Sequence, residues 1–299
     1  MPGIDKARLL RTGGPPLFVF MWSLGFIFLR IGLDYADPLT LLALRYALVE
    51  AVLLPVALIL RPALPRGREW LHLAVVGFLV QAVHFGGLNL SLEFGLSPGA
   101  SALFTGLQPI LVALLAPWLA GEGVSLRRWL GLVLGLIGMA AVILSRSSIA
   151  SLPVWGILAA TTALLTLTAG TLYERRFGVR QHPVTASIVQ CGMGLLVALP
   201  LAAIFEPMHV QVTAGLAMSL TYLVLGNSIV SLTLLMAMIR LGEASRVSAL
   251  FFLVPPTTAL LAWLALGQAL APVGWAGLAV SAIGVAIVTL ERKPKMAAP

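Results

Sequence analysis

The chain has 299 residues, 60% of them hydrophobic and 10% charged, with a formal net charge of +8 and a mean hydropathy of +1.02. Soluble domains carry about 25% charged residues, so this composition cannot clothe a water-facing surface. It excludes a soluble enzyme, and it moves the basic excess from nucleic-acid binding to the short links of a membrane protein.

Apolar runs of the length that crosses a bilayer, about 17 to 25 residues, fall at 16–33, 38–60, 70–90, 100–120, 128–146, 153–173, 182–204, 215–239, 247–267 and 273–290. The expected fold class is an all-α membrane protein with ten transmembrane helices. Lys6, Arg8 and Arg11 before the first run imitate a secretory signal. Further spans follow and no small-residue cleavage site intervenes, so the first run is expected to be retained as a span. Breakers mark the links, among them Asp37-Pro38, Ser97-Pro98-Gly99 and His182-Pro183. The single Cys191 lies inside an apolar run, excludes an intrachain disulfide, and reads as a small core residue.

Alternate links collect the basic residues: Lys6, Arg8, Arg11; Arg61, Arg66, Arg68; Arg127, Arg128; Arg175, Arg176, Arg180; Arg240, Arg246; and Arg292, Lys293, Lys295. The opposite links offer Asp34, Asp37, Glu93 and Glu206, with Arg146 and Arg30 as exceptions. The positive-inside rule then places both termini in the cytoplasm of a multi-pass protein of the inner (plasma) membrane.

One stretch occurs twice. Pro109 to Leu144 and Pro255 to Leu290 align without a gap, identical at about 14 of 36 positions, including Pro109 on Pro255, Trp129 on Trp275, Gly131 on Gly277 and Gly138 on Gly284. Earlier residues align too: Gly25 on Gly170, Arg30 on Arg175, Pro38 on Pro183, Thr40 on Thr185 and Pro55 on Pro200. The expected domains are 1–146 and 147–299, each a five-helix repeat. Five is odd, so the second copy enters the membrane inverted, the plan of carriers that expose a midplane site to either side in turn.

Polar groups buried in hydrocarbon should face a cavity or one another. The candidate substrate-binding residues are Trp22, Gln81, His84, Gln108, Thr162, Gln190, Asn227, Ser228 and Phe251. Gln81 and His84, three apart, are expected on one helix face, and Gln81 aligns with Asn227 across the repeat. Each candidate has a plain structural alternative: back-bonding for the hydroxyls, interhelical hydrogen bonds for the amides, and a satisfied core position for His84.

The gating or coupling candidates are Arg45, Glu50, Pro55, Pro200, Pro109 and Pro255. Arg45 and Glu50, about 140° apart round a helix, do not pair. Arg45 can bind a carboxylate or reach Asp37, and Glu50 is a candidate proton carrier or a structural partner. The prolines are expected to bend their helices, with Pro55 and Pro200 marking two gates. The fifth and tenth spans, with Gly131-x-x-x-Gly135 and Gly277-x-x-x-Ser281, are expected to be scaffold. No cofactor and no metal are expected.

Trp22-Ser23-x-x-Phe26, Arg30, Pro38 and Arg45, followed by Pro109, Gly121-Glu122, Trp129, Gly131 and Gly138, resemble the EamA type of the drug/metabolite transporter superfamily. The second copy repeats the later part with Gln268 where Glu is usual. The resemblance implies a ten-helix exporter of small metabolites in the lipid bilayer, amino acids foremost and aromatic ones among them. A complete duplicated unit has no need of a partner, so a monomer is expected. Its cavity would lie between the first four and the sixth to ninth helices. Export of drugs or cationic compounds is the alternative. An intramembrane enzyme is more distant, because no Gly-x-Ser-x-Gly or His-Glu-x-x-His motif is present.

Overall fold

The computed structural model describes residues 6–119, 125–145, 153–178, 181–231, 234, 251 and 253–289. Helices α1 (Lys6–Leu33) and α2 (Pro38–Leu60) come first. α3 (Glu69–Val76) runs through a π-helical segment (Gly77–His84) into α4 (Phe85–Glu93). α5 (Pro98–Gly106), α6 (Gln108–Leu119), α7 (Leu126–Leu144), α8 (Val154–Phe177) and α9 (Pro183–Phe205) follow. α10 (Ala214–Thr221) continues as a second π-helical segment (Tyr222–Ser231), and α11 (Val254–Leu266) and α12 (Pro272–Thr289) end the described chain.

Six helical stretches among the described residues are long and apolar enough to cross a membrane: Gly13–Leu33, Pro38–Leu60, Glu69–Glu93, Val154–Phe177, Pro183–Phe205 and Ala214–Ser231. Their outer surfaces are greasy, with Leu58, Leu196 and Ile204 exposed to 76%, 72% and 71%. Water does not tolerate such a surface on a monomer, but lipid does. The later part of the expected run 215–239 and the start of 247–267 lie outside the described residues.

Two prolines begin helices instead of bending them. A proline at position 109 cannot donate to the carbonyl of Thr105, and its ring crowds that turn. The chain responds with a break at Leu107, whose N–H donates to Phe104 O at 3.1 Å, and α6 starts afresh with Pro109 as its second residue. Pro255 and Pro256 occupy the first turn of α11, where the missing N–H costs nothing. Pro55 and Pro200 do lie within continuous α2 and α9.

α7 and α12 cross glycine to glycine. Gly138 lies against the carbonyl of Gly277, and a Cβ on Gly284 would meet Gly131 O at 2.7 Å. Residue 131 aligns with 277 and 138 with 284, so the repeat carries the contact 138–277 onto the contact 284–131. That reciprocity is what a two-fold relation produces, and it requires the two helices to run antiparallel.

α2 and α9 also pack together, and their ends are tied. Pro38 has no N–H, so the first free donors of α2 are Leu39 and Thr40. Both donate at 2.8 Å to the carboxylate of Glu206, which follows α9, and the Thr40 hydroxyl adds a third bond at 2.8 Å. A carboxylate suits the positive end of a helix. Beside it Asp37 accepts from His209 N at 2.7 Å, and Ala36 bridges Val210. At the equivalent place by repeat, Thr185 at the start of α9 makes one bond, to Ala63 O at 3.3 Å. Of these two α2–α9 ties among the described residues the one at Glu206 is the firmer, while at the opposite end Gln181 also donates to Glu69 Oε2 of α3 at 2.7 Å. Glu206→Ala should weaken the firmer tie by about 0.5–2 kcal/mol, the range for losing a helix cap. A cysteine placed at Ala36 should then react with a membrane-impermeant maleimide several times faster, and an unchanged rate would show that the carboxylate does not hold this end.

Candidate functional site

A narrow cleft, open on one side and with about 20 Å³ free to the centre of a water molecule, lies between α1, α2, the end of the first π-helical segment, α4, α5 and the second π-helical segment. Trp22, Gly25, Phe26 and Leu29 come from α1, Arg45 from α2, His84, Phe85 and Leu88 from the third traverse, and Thr105 from α5. Leu223 and Asn227 close it from the second repeat.

Arg45 is its charged group, and it is buried. Its Nε and Nη2 donate to Ser228 Oγ at 3.2 and 3.0 Å, and Nη2 reaches Asn227 Oδ1 at 3.4 Å. Ser228 gives its own hydroxyl proton to Leu223 O at 2.9 Å, so its oxygen is committed as an acceptor. The guanidinium lies 4.6 Å from the centre of the Phe85 ring, a cation–π contact. All these partners are neutral, and no ion pair to Arg45 occurs among the described residues. Asp37 is engaged by His209, so the expectation that Arg45 could reach Asp37 is not met.

His84 settles its own tautomer. Nδ1 sits 2.9 Å from the carbonyl of Ala163, which only accepts, so Nδ1 carries the proton. In the neutral ring Nε2 is then the remaining acceptor. Gly25 makes room for Asn227, whose amide occupies the place where a Cβ on residue 25 would sit. At the other end Trp22 packs with Phe18 and Phe251, all three ring centres 5.4 Å apart.

The structure therefore gathers Trp22, His84, Asn227 and Arg45 round one space, with Ser228 and Phe251 directly behind them. Other candidates point elsewhere. Gln81 turns to α2, where the Tyr46 hydroxyl donates to Gln81 O at 2.7 Å and reaches Oε1 at 3.0 Å. Its separation from His84 follows from the π-helical segment, whose wider turn spreads residues three apart to different faces. Gln108 donates to Thr171 Oγ1 at 3.0 Å and joins α6 to α8. Thr162 is exposed and returns its hydroxyl to Leu158 O at 2.9 Å. Gln190 packs its backbone against Gly77. Glu50 turns towards Gly192 of α9, with Oε1 buried and unpartnered. Phe85 and Thr105 were missed, whereas Gly25 had left a trace as a glycine shared by both repeats and Phe26 as part of the motif that begins at Trp22.

Among the described residues no cluster of three metal-ligating side chains occurs. A cation-bearing cavity inside a duplicated, membrane-embedded helical bundle defines a transporter. The chain belongs to the EamA-like transporter family, whose profile matches residues 17–144 and again 154–290. It is a multi-pass membrane protein and not an enzyme. It is 23% identical over 272 residues to the uncharacterized inner membrane transporter YedA of Escherichia coli (strain K12), covering 91% of this chain and 88% of that one. It is 25% identical over 284 residues to the uncharacterized transporter YvbV of Bacillus subtilis (strain 168), covering 94% and 92%. A probable amino-acid metabolite efflux pump of Salmonella typhimurium (strain LT2) is 24% identical over 283 residues, covering 91% and 92%. One solved crystal structure, 20% identical, superposes with a TM-score of 0.63 over 93% of this chain and 96% of its own, a likeness of fold.

Proposed function

We propose that this protein exports small carboxylate-bearing metabolites of the amino-acid kind across the inner membrane by alternating access. The carrying observation is Arg45, a buried cation at the cavity whose bonds go to neutral oxygens alone. With Nε and Nη2 given to Ser228 and Asn227, the Nη1 donors are the part of the guanidinium that can offer a carboxylate a charge-assisted bond. The aromatic wall at Trp22 offers a flat apolar surface for the rest of the molecule. A relative named as a probable amino-acid metabolite efflux pump points the same way.

In this reading ten spans form two inverted repeats with both termini in the cytoplasm, and one chain is a complete carrier. The antiparallel crossing of α7 and α12 supports it. The tie at Glu206 seals the outer face, and the lighter tie at Thr185 faces the cytoplasm. Pro55 and Pro200, exposed in α2 and α9, flank the two seals, and Glu50 is the coupling candidate.

Counterflow in proteoliposomes tests the function. Vesicles loaded with a mixture of unlabelled amino acids should accumulate labelled phenylalanine or a related acid, and cationic dyes should not compete, since Arg45 repels them. No counterflow with any carboxylate, together with dye transport, would overturn the reading. Repeating the assay with an imposed pH gradient, in the wild type and in Glu50→Gln, separates proton coupling from facilitated diffusion.

A further inference from the structure

The residues that define the cavity also restrict what fits beside the carboxylate. An amino acid brings an ammonium group, and an ammonium taken out of water needs acceptors, best of all a carboxylate. The cavity has one cation, Arg45, and among the described residues no acidic side chain lines it. The nearest acid on α2, Glu50, turns to α9 and is not part of the wall.

The neutral acceptors are also few. Ser228 Oγ already accepts twice from Arg45 and Asn227 Oδ1 once, while the Thr105 hydroxyl donates to Ser101 O at 3.3 Å and keeps its oxygen as an acceptor. With His84 Nε2, these are neutral acceptors, and none carries the negative charge that would offset an ammonium's desolvation. An ammonium placed at His84 Nε2 lies in the same cleft as the guanidinium, and like charges sharing it repel. The remaining wall, Trp22, Phe26, Leu29, Phe85 and Leu88, gives it nothing.

We infer that the preferred cargo is a carboxylate whose amino group is absent or masked: a 2-oxo, 2-hydroxy, desamino or N-acyl acid carrying an apolar, flat side chain. Zwitterionic amino acids are second-best. This rests on the proposal that the cavity at Arg45 is the cargo site. It differs from that proposal in naming which member of the carboxylate class the site favours. One net negative charge on the cargo then balances one net positive charge on the wall.

The test is equilibrium binding to the purified full chain in detergent, with four probes that share one ring: 3-phenylpropanoate, N-acetylphenylalanine, phenylalanine and phenylalanine amide. Affinity should follow charge, with 3-phenylpropanoate about tenfold tighter than phenylalanine, and the amide, a cation, not bound. N-acetylphenylalanine guards against the objection that a smaller molecule merely fits better. Phenylalanine binding as tightly as both anions would overturn the inference while leaving the cargo site intact. Arg45→Gln separates the two failures. It should abolish the preference for the anions, and if it leaves the binding of every probe unchanged, or if no probe binds the wild type, the cargo-site reading falls and this inference with it.

Discussion

Arg45→Met is expected to weaken binding of a carboxylate cargo roughly 30- to 150-fold and to lower counterflow in proportion at subsaturating cargo. Methionine fills much of the same volume, so the change removes charge and donors with little effect on packing. Charge-assisted hydrogen bonds contribute about 2–3 kcal/mol to such a contact, which gives the stated range. Two further effects have opposite signs. The cation–π contact over Phe85 is lost, whereas Asn227 and Ser228 are released to bind water. Arg45→Lys discriminates the roles of charge and shape. Lysine keeps the charge but cannot make the fork that reaches Ser228 by Nε and Nη2 together, so partial recovery is expected. Wild-type transport by Arg45→Met would show that the buried cation serves the fold alone.

Gly284→Leu should be the most damaging single change to stability, at about 3 kcal/mol, the upper part of the range for forcing volume into a packed site. Its Cβ would meet Gly131 O at 2.7 Å and Gly135 N at 2.9 Å. Both are backbone atoms, so no side chain can swing aside and the two helices must separate along the crossing. Gly138→Leu meets the same obstacle at Gly277 and Ser281 from the opposite helix, and the two variants should therefore behave alike. Gly13→Ala is the control, because nothing lies within 4 Å of a Cβ there. It should be neutral or slightly stabilising, as expected for removing a glycine from a helix. Thermal unfolding in detergent micelles reads all three. If Gly284→Leu melts with the wild type, the close crossing is not a structural requirement.

Much of the fold was legible because lipid writes simple rules. Long apolar runs had to be helices, and the run at 38–60 coincides with α2 (Pro38–Leu60). The scaffold role expected of the glycine spacings in the fifth and tenth spans agrees with the α7–α12 crossing, since small residues are what permit backbones to touch. The break at Leu107 was harder to place, because a proline permits a bend or a fresh start, and the tertiary setting decides which. Gly106 abuts the Pro255 ring there, so two helix starts meet in one place.

The site was legible in its chemistry more than in its geometry. Arg45, His84, Trp22 and Asn227 are expensive or bulky groups in mid-membrane, and they converge. Thr162 misled because a hydroxyl can satisfy itself on its own helix and then face lipid. Gln81 misled because nothing in its composition announces that Gly77–His84 is π-helical. Phe85 follows His84 directly, and its place over the guanidinium depends on that same wider turn.

The two π-helical segments, Gly77–His84 and Tyr222–Ser231, occupy matching stations in the two repeats. A wide turn leaves some carbonyls and side chains without their usual neighbours, and consecutive residues of α2 supply what is missing. Arg45 reaches the segment in the second half, and Tyr46 reaches the one in the first. A displacement of α2 would therefore bear on polar contacts in both halves. Two neighbouring side chains thus make α2 a bridge whose polar contacts to the first and second halves stand one residue apart.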